Sequence, residues 1–120
     1  WSAAAEGGAS AEACRWPRRA GDDAMRVMAV EEAERLYRVA LDNADRLDAT
    51  ERVELVLAMA TAAARCGHLA EAGRACREAA DTARRLGSPR LLATAALTLE
   101  PLGDATWDGD IHRWCTQALA

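Results

Sequence analysis

Two short segments, Cys66-Gly67-His68 and His112-Arg113-Trp114-Cys115, together hold two thiols and two imidazoles, the ligand types of a structural zinc site. His112 and Cys115 stand one helical turn apart and can share an ion, but nothing in the linear order brings the two pairs together, so no metal is expected. A nucleophilic role for the thiols has no better support. Cys76 falls on an apolar stripe, where a thiol behaves as a small hydrophobe of raised pKa, and neither Cys14 nor Cys115 is accompanied by a glycine-rich or oxyanion-type turn. The acidic pairs Asp22-Asp23 and Glu31-Glu32 suit helix starts, where negative charge meets the helix dipole, rather than acid–base work. All 15 basic residues are Arg, so there is no Lys for a Schiff base, a lysine base or a P-loop. No catalytic residue, cofactor or metal site is expected.

Arg15, Arg18, Asp22 and Arg26 recur at intervals of three and four and therefore share a helix face. In the repeat register given below, Glu54, Thr61 and Arg65 occupy the matching face of the next unit. One reading is an Arg-lined groove for an acidic peptide, because guanidinium holds carboxylates through two parallel hydrogen bonds. The other is a solvated face with ordinary charge pairs, each worth a few tenths of a kcal/mol.

The elements that must position these residues are helices. Of 120 residues, 30 are Ala and 13 are Leu, whereas Ile occurs once and Phe never. Ala, Leu, Arg and Glu lose little on entering a helix, and β-branched residues are too few for a sheet. No apolar run approaches the roughly 20 residues of a membrane span. The net charge of -4 argues against direct contact with nucleic acid. The four cysteines, Cys14, Cys66, Cys76 and Cys115, are scattered without a CxxC pair and are expected to be reduced.

Along the chain, residues 1–10 are small and polar with Gly7 and Gly8 adjacent, and are expected to form a linker or frayed end. A helix is expected from near Pro17, whose ring is costly inside one. Ala33, Leu36, Tyr37, Ala40, Leu41, Ala44 and Leu47 trace one face of a helix of about four turns. Asp48 is placed to cap the next helix, over 50–66, with Glu51 reaching back toward it. Gly67 ends that helix, and a stripe from Leu69 to Leu86 defines an antiparallel partner. Gly87-Ser88-Pro89 opens a helix with Leu91, Leu92, Ala95, Ala96 and Leu99 inside, broken at Pro101 and Gly103. A last piece is expected to turn Ile111, Trp114, Cys115, Ala118 and Leu119 inward, with Trp16, Trp107 and Trp114 as core plugs or end-caps.

Sliding the chain by 39 residues aligns Arg26 with Arg65, Glu32 with Glu71, Arg38 with Arg77, Asp42 with Asp81, Arg46 with Arg85 and Leu47 with Leu86, besides several Ala pairs. This is a helix-pair repeat. Its small-residue positions, Gly21, Ala24, Ala33, Tyr37 and Ala40, then Ala60, Ala63, Gly67, Leu69, Ala72, Cys76 and Ala79, resemble tetratricopeptide-like repeats. The unit is longer than that family's roughly 34 residues, and no Pro closes either second helix.

The runs Trp16 to Ala24, Glu31 to Leu41 and Gly67 to Ala72 continuing to Gly87-Ser88-Pro89-Arg90-Leu91-Leu92-Ala93 are similar to the helical-repeat region of actinobacterial LuxR-type and MalT-like ATP-binding regulators. That resemblance spans roughly residues 11–120. It implies an all-α, tetratricopeptide-like stack of antiparallel hairpins in units of about 11–47, 50–86 and 89–120. It also implies a non-catalytic interaction or sensor segment of a larger cytoplasmic bacterial regulator. Its expected partners are a protein or peptide, a second copy of itself, or a small effector, with neither nucleic acid nor membrane contacted directly. The alternatives are a helical scaffold within a multidomain ATPase or cyclase, and a free-standing repeat adaptor.

Overall fold

The computed structural model describes residues 3–99 and 108–119, with the side chains of 13–45, 47–99 and 109–119. These residues are all-helical: α1 (Ala3–Arg26), α2 (Val30–Asp42), a 3₁₀ turn (Ala44–Arg46), α3 (Ala49–Arg65), α4 (Leu69–Leu86), α5 (Pro89–Leu99) and α6 (Asp108–Leu119). Each helix packs on its neighbour in sequence from α1 to α5, α6 packs on α5, and α3 also meets α5. No described helix is long and apolar enough to cross a membrane.

Local chemistry explains most of the boundaries. Asp48 accepts a hydrogen bond from the Glu51 amide at 2.8 Å, satisfying one of the donors left open at the start of α3. Gly87 takes the left-handed conformation (φ 65°) that closes α4, and the Ser88 hydroxyl accepts from the Leu91 amide at 3.3 Å where α5 opens at Pro89. The core these helices share is built mostly of Ala and Leu, and no polar or charged side chain is buried among the described residues. Small side chains bring helix axes close together, which is how an Ala-rich chain packs without Phe.

The turns between α1 and α2 and between α3 and α4 are made the same way, 39 residues apart. In the first, the amides of Val27, Met28 and Ala29 donate to the carbonyls of Asp23, Met25 and Ala24 at 3.3, 3.1 and 2.8 Å. In the second, those of Cys66, Gly67 and His68 donate to Ala62, Ala64 and Ala63 at 3.1, 3.0 and 2.9 Å. Met28 stands where Gly67 stands, and both have positive φ, 63° and 88°. Ala29 and His68 precede the next helices with nearly equal backbone angles.

Several expectations are corrected. The helix expected from near Pro17 already runs from Ala3, through the stretch expected to be a linker, and holds Pro17 in its interior. Pro17 joins Cys14, Gly21 and Ala24 on the buried stripe of α1, while Trp16, about 100° round the helix from it, is 67% exposed and plugs nothing. The stripe expected to be helical as far as Leu47 leaves the α-helix after Asp42, and Ala44 is buried from the 3₁₀ turn instead. In α6, Trp114 is buried with Ile111 and Ala118 packed beside it, but Cys115 is exposed and Leu119 is 90% exposed, each one residue beyond the inward stripe. Trp107 and the break at Pro101 and Gly103 lie outside the described residues.

Candidate functional site

The charged face expected on the first helix of each unit is partly assembled. Arg18 on α1 is 3.8 Å from Glu54 on α3, and the other oxygen of Glu54 accepts from Arg90 on α5 at 3.1 Å. One carboxylate thus joins α1, α3 and α5, helices that alternate in the chain. Arg15 is exposed on the same stretch of α1. Thr61 bonds its hydroxyl to the Leu57 carbonyl at 2.9 Å, within its own helix.

Other members of the face turn to different tasks. Asp22 accepts the hydroxyl proton of Tyr37 on α2 and so ties α1 to α2. Burial, then that hydrogen bond to a carboxylate, pushes the Tyr37 phenol well above its ordinary pKa. Arg26 pairs with Asp23 one turn back. Arg65 approaches the Met28 sulfur at 3.9 Å, which sets the α1–α2 and α3–α4 turns side by side at one end of the molecule. Arg90 was absent from the expected face because it falls outside the 39-residue register, lying 36 residues after Glu54.

A second feature has no counterpart in the periodicity. A groove of about 430 Å³ runs between the start of α3 and the end of α4, with Val53, Val56 and Ala79 as its apolar wall and Arg52, Glu78 and Arg85 at its rim. It lies where α4 continues as a helix but α2, at equivalent positions, has given way to the 3₁₀ turn. Arg52 is held there by the Ala44 carbonyl at 2.8 Å.

The third is a cluster at the end where the two turns meet. Glu34 on α2, Cys66 at the end of α3 and His68 at the start of α4 bring one ligand-type atom each to within 4.8 Å of one another. His68 Nδ1 lies 2.9 Å and 3.1 Å from the Glu34 oxygens, while Arg38 Nε reaches Glu34 at 3.6 Å and Arg38 Nη2 reaches Glu71 at 2.6 Å. The Glu34 carboxylate, by hydrogen bond and charge, raises the His68 pKa. Burial first, then the charges of Glu34 and Glu31, raises the Cys66 thiol. Cys66 and His68 converge because Gly67, at φ 88°, turns the chain tightly with open space around its α-carbon.

This cluster differs from the set considered in the sequence. Its third member is Glu34, and His112 and Cys115, on α6, are not part of it. Glu34 carries no local signal: it reads as one more acidic residue in Glu31-Glu32-Ala33-Glu34, and only the apposition of the two turns singles it out. Cys14 is buried and its thiol pKa is raised, chiefly by burial. Cys76 is fully buried and its thiol is pushed up to about 12 by the same effect, so neither behaves as an activated nucleophile. No protein-family model matches the chain, and neither a curated protein nor a solved structure matches it.

Proposed function

We propose that this chain is a tetratricopeptide-like stack of antiparallel hairpins acting as a non-catalytic interaction segment, which receives an acidic peptide or protein on the face shared by α1, α3 and α5. The observation that carries this reading is the bridge from Arg18 through Glu54 to Arg90, because it aligns the first helices of three successive pairs on one side. Exposed Arg15 adds a third guanidinium to that side, beside Arg18 and Arg90 and facing the carboxylates of Glu51 and Glu54. The matched turns at Met28 and Gly67 support a repeated hairpin, and extents of 53 × 32 × 19 Å suit an elongated stack two helices thick. Such a segment fits the sensor or partner-binding role in a larger bacterial signal-transduction or transcriptional regulator.

The test is fluorescence anisotropy of labelled Glu/Asp-rich peptides against neutral peptides of equal length. Acidic peptides are expected to bind without being altered, more weakly at high salt, and more weakly still to Arg18→Ala and Arg90→Ala. Arg113→Ala, on α6, serves as the control of equal charge change. Equal binding of both peptide classes, or equal losses in all three variants, would sink the proposal.

A further inference from the structure

We infer that Glu34, Cys66 and His68 form a binding site for a divalent metal ion of borderline softness, of the Zn²⁺ class, at the junction of the α1–α2 and α3–α4 turns. The three side chains supply oxygen, sulfur and nitrogen, each a recognised zinc donor, from separate elements: the first half of α2, the end of α3 and the start of α4.

With zinc bonds of about 2.0 Å to nitrogen and oxygen and about 2.3 Å to sulfur, tetrahedral geometry sets N···O at about 3.3 Å and S···N or S···O at about 3.5 Å. The His68 Nδ1 to Glu34 distances of 2.9 and 3.1 Å fall just inside that N···O span, and the Cys66 sulfur lies within 4.8 Å of both, so the three donors already converge on one point.

The surroundings suit a cation. Thiolate and carboxylate together neutralise a divalent ion, the thiol proton passing to water as the metal enters. Arg38 approaches one oxygen of Glu34 and has a second partner in Glu71, so it can orient the carboxylate without remaining its sole counter-charge. His68 is half exposed at the surface, which leaves room for water to complete the coordination. A hydrogen-bonded Glu–His pair alone accounts for two of the three side chains and leaves the thiol beside them without a role.

Titration of the full chain with Co²⁺ provides a spectroscopic probe, since thiolate ligation gives a charge-transfer band in the near ultraviolet. One equivalent is expected to develop the band, and Zn²⁺ to displace it. Cys66→Ser should abolish it, and His68→Ala or Glu34→Gln should weaken Co²⁺ binding by well over about a hundredfold, beyond the roughly 10–100-fold that outer-shell losses cost. Cys115→Ser should leave it unchanged. Circular dichroism establishes that each variant is folded, and Zn²⁺ should raise the melting temperature of the parent chain but not of Cys66→Ser. No band with the folded parent chain, or a band that survives Cys66→Ser, overturns the assignment.

Discussion

Tyr37 lays its ring against the bare α-carbon of Gly21, so that a Cβ built there would lie 2.8 Å from Tyr37 Cε1. The ring cannot swing aside freely: it is buried, and its hydroxyl is held by Asp22. Thirty-nine residues further on, Ala60 on α3 and Cys76 on α4 are both fully buried, a larger residue than Gly21 and a smaller one than Tyr37.

Gly21→Ala should therefore destabilise the protein by about 1–3 kcal/mol, although Ala is the better helix former, because overpacking at a fixed ring outweighs the propensity gain of about 1 kcal/mol. Urea unfolding followed by circular dichroism measures it. A gain in stability would show that α1 and α2 can separate at no cost.

The matched turns make opposite predictions for one backbone position. Met28 holds a left-handed conformation with an exposed side chain, so Met28→Gly should stabilise by about 1 kcal/mol. Gly67→Ala should destabilise by a similar amount, about 1 kcal/mol, through backbone strain alone, since nothing lies within 4 Å of the new methyl. Shifts of melting temperature in the same direction for both variants would contradict this.

Stability should fall in alkali. The Cys76 thiol ordinarily titrates at 9.0 but is pushed up to about 12 in the folded chain, and the Tyr37 phenol is raised in the same sense from 10.0. The folded state then retains protons that the unfolded state releases, so the contribution is complete below about pH 9 and is lost as pH rises toward about 12. Urea midpoints measured from about pH 8 to about pH 11 should decline, and Cys76→Ala should flatten the part nearest the thiol's ordinary range. An unchanged slope in that variant would remove Cys76 as a cause.

Trp114 is the largest fully buried side chain, and its indole Nε1 finds no acceptor among the described residues. Trp114→Ala should cost about 3–5 kcal/mol by opening a cavity at the inner face of α6. Trp114→Phe should cost clearly less, because it removes an unsatisfied buried donor while keeping a ring. Comparing the two by urea unfolding separates packing from polarity; equal losses would mean that the indole shape alone matters.

Signals that act within one turn of the chain were legible in the sequence. Asp48 caps α3, Gly67 and Gly87 close α3 and α4, Pro89 opens α5, and the span Leu69–Leu86 is helical as its stripe predicts. These depend on backbone donors, left-handed φ and side-chain period, all set by residues a few positions apart. The same period misjudged residues at the margin of a stripe: Trp16, Cys115 and Leu119 sit beside buried positions but face solvent, because a face has an angular width that only the neighbouring helix defines. Helix α1 also runs through Pro17, and α2 ends at Asp42 short of its apolar stripe, neither of which the local signals indicate. Above all, tertiary packing decided the long-range pairings of Tyr37 with Gly21, Arg18 and Arg90 with Glu54, and Glu34 with Cys66 and His68. Local propensity says which way a side chain points along its own helix; which partner waits there depends on how the Ala-rich faces nest, and that is a property of the whole packed chain.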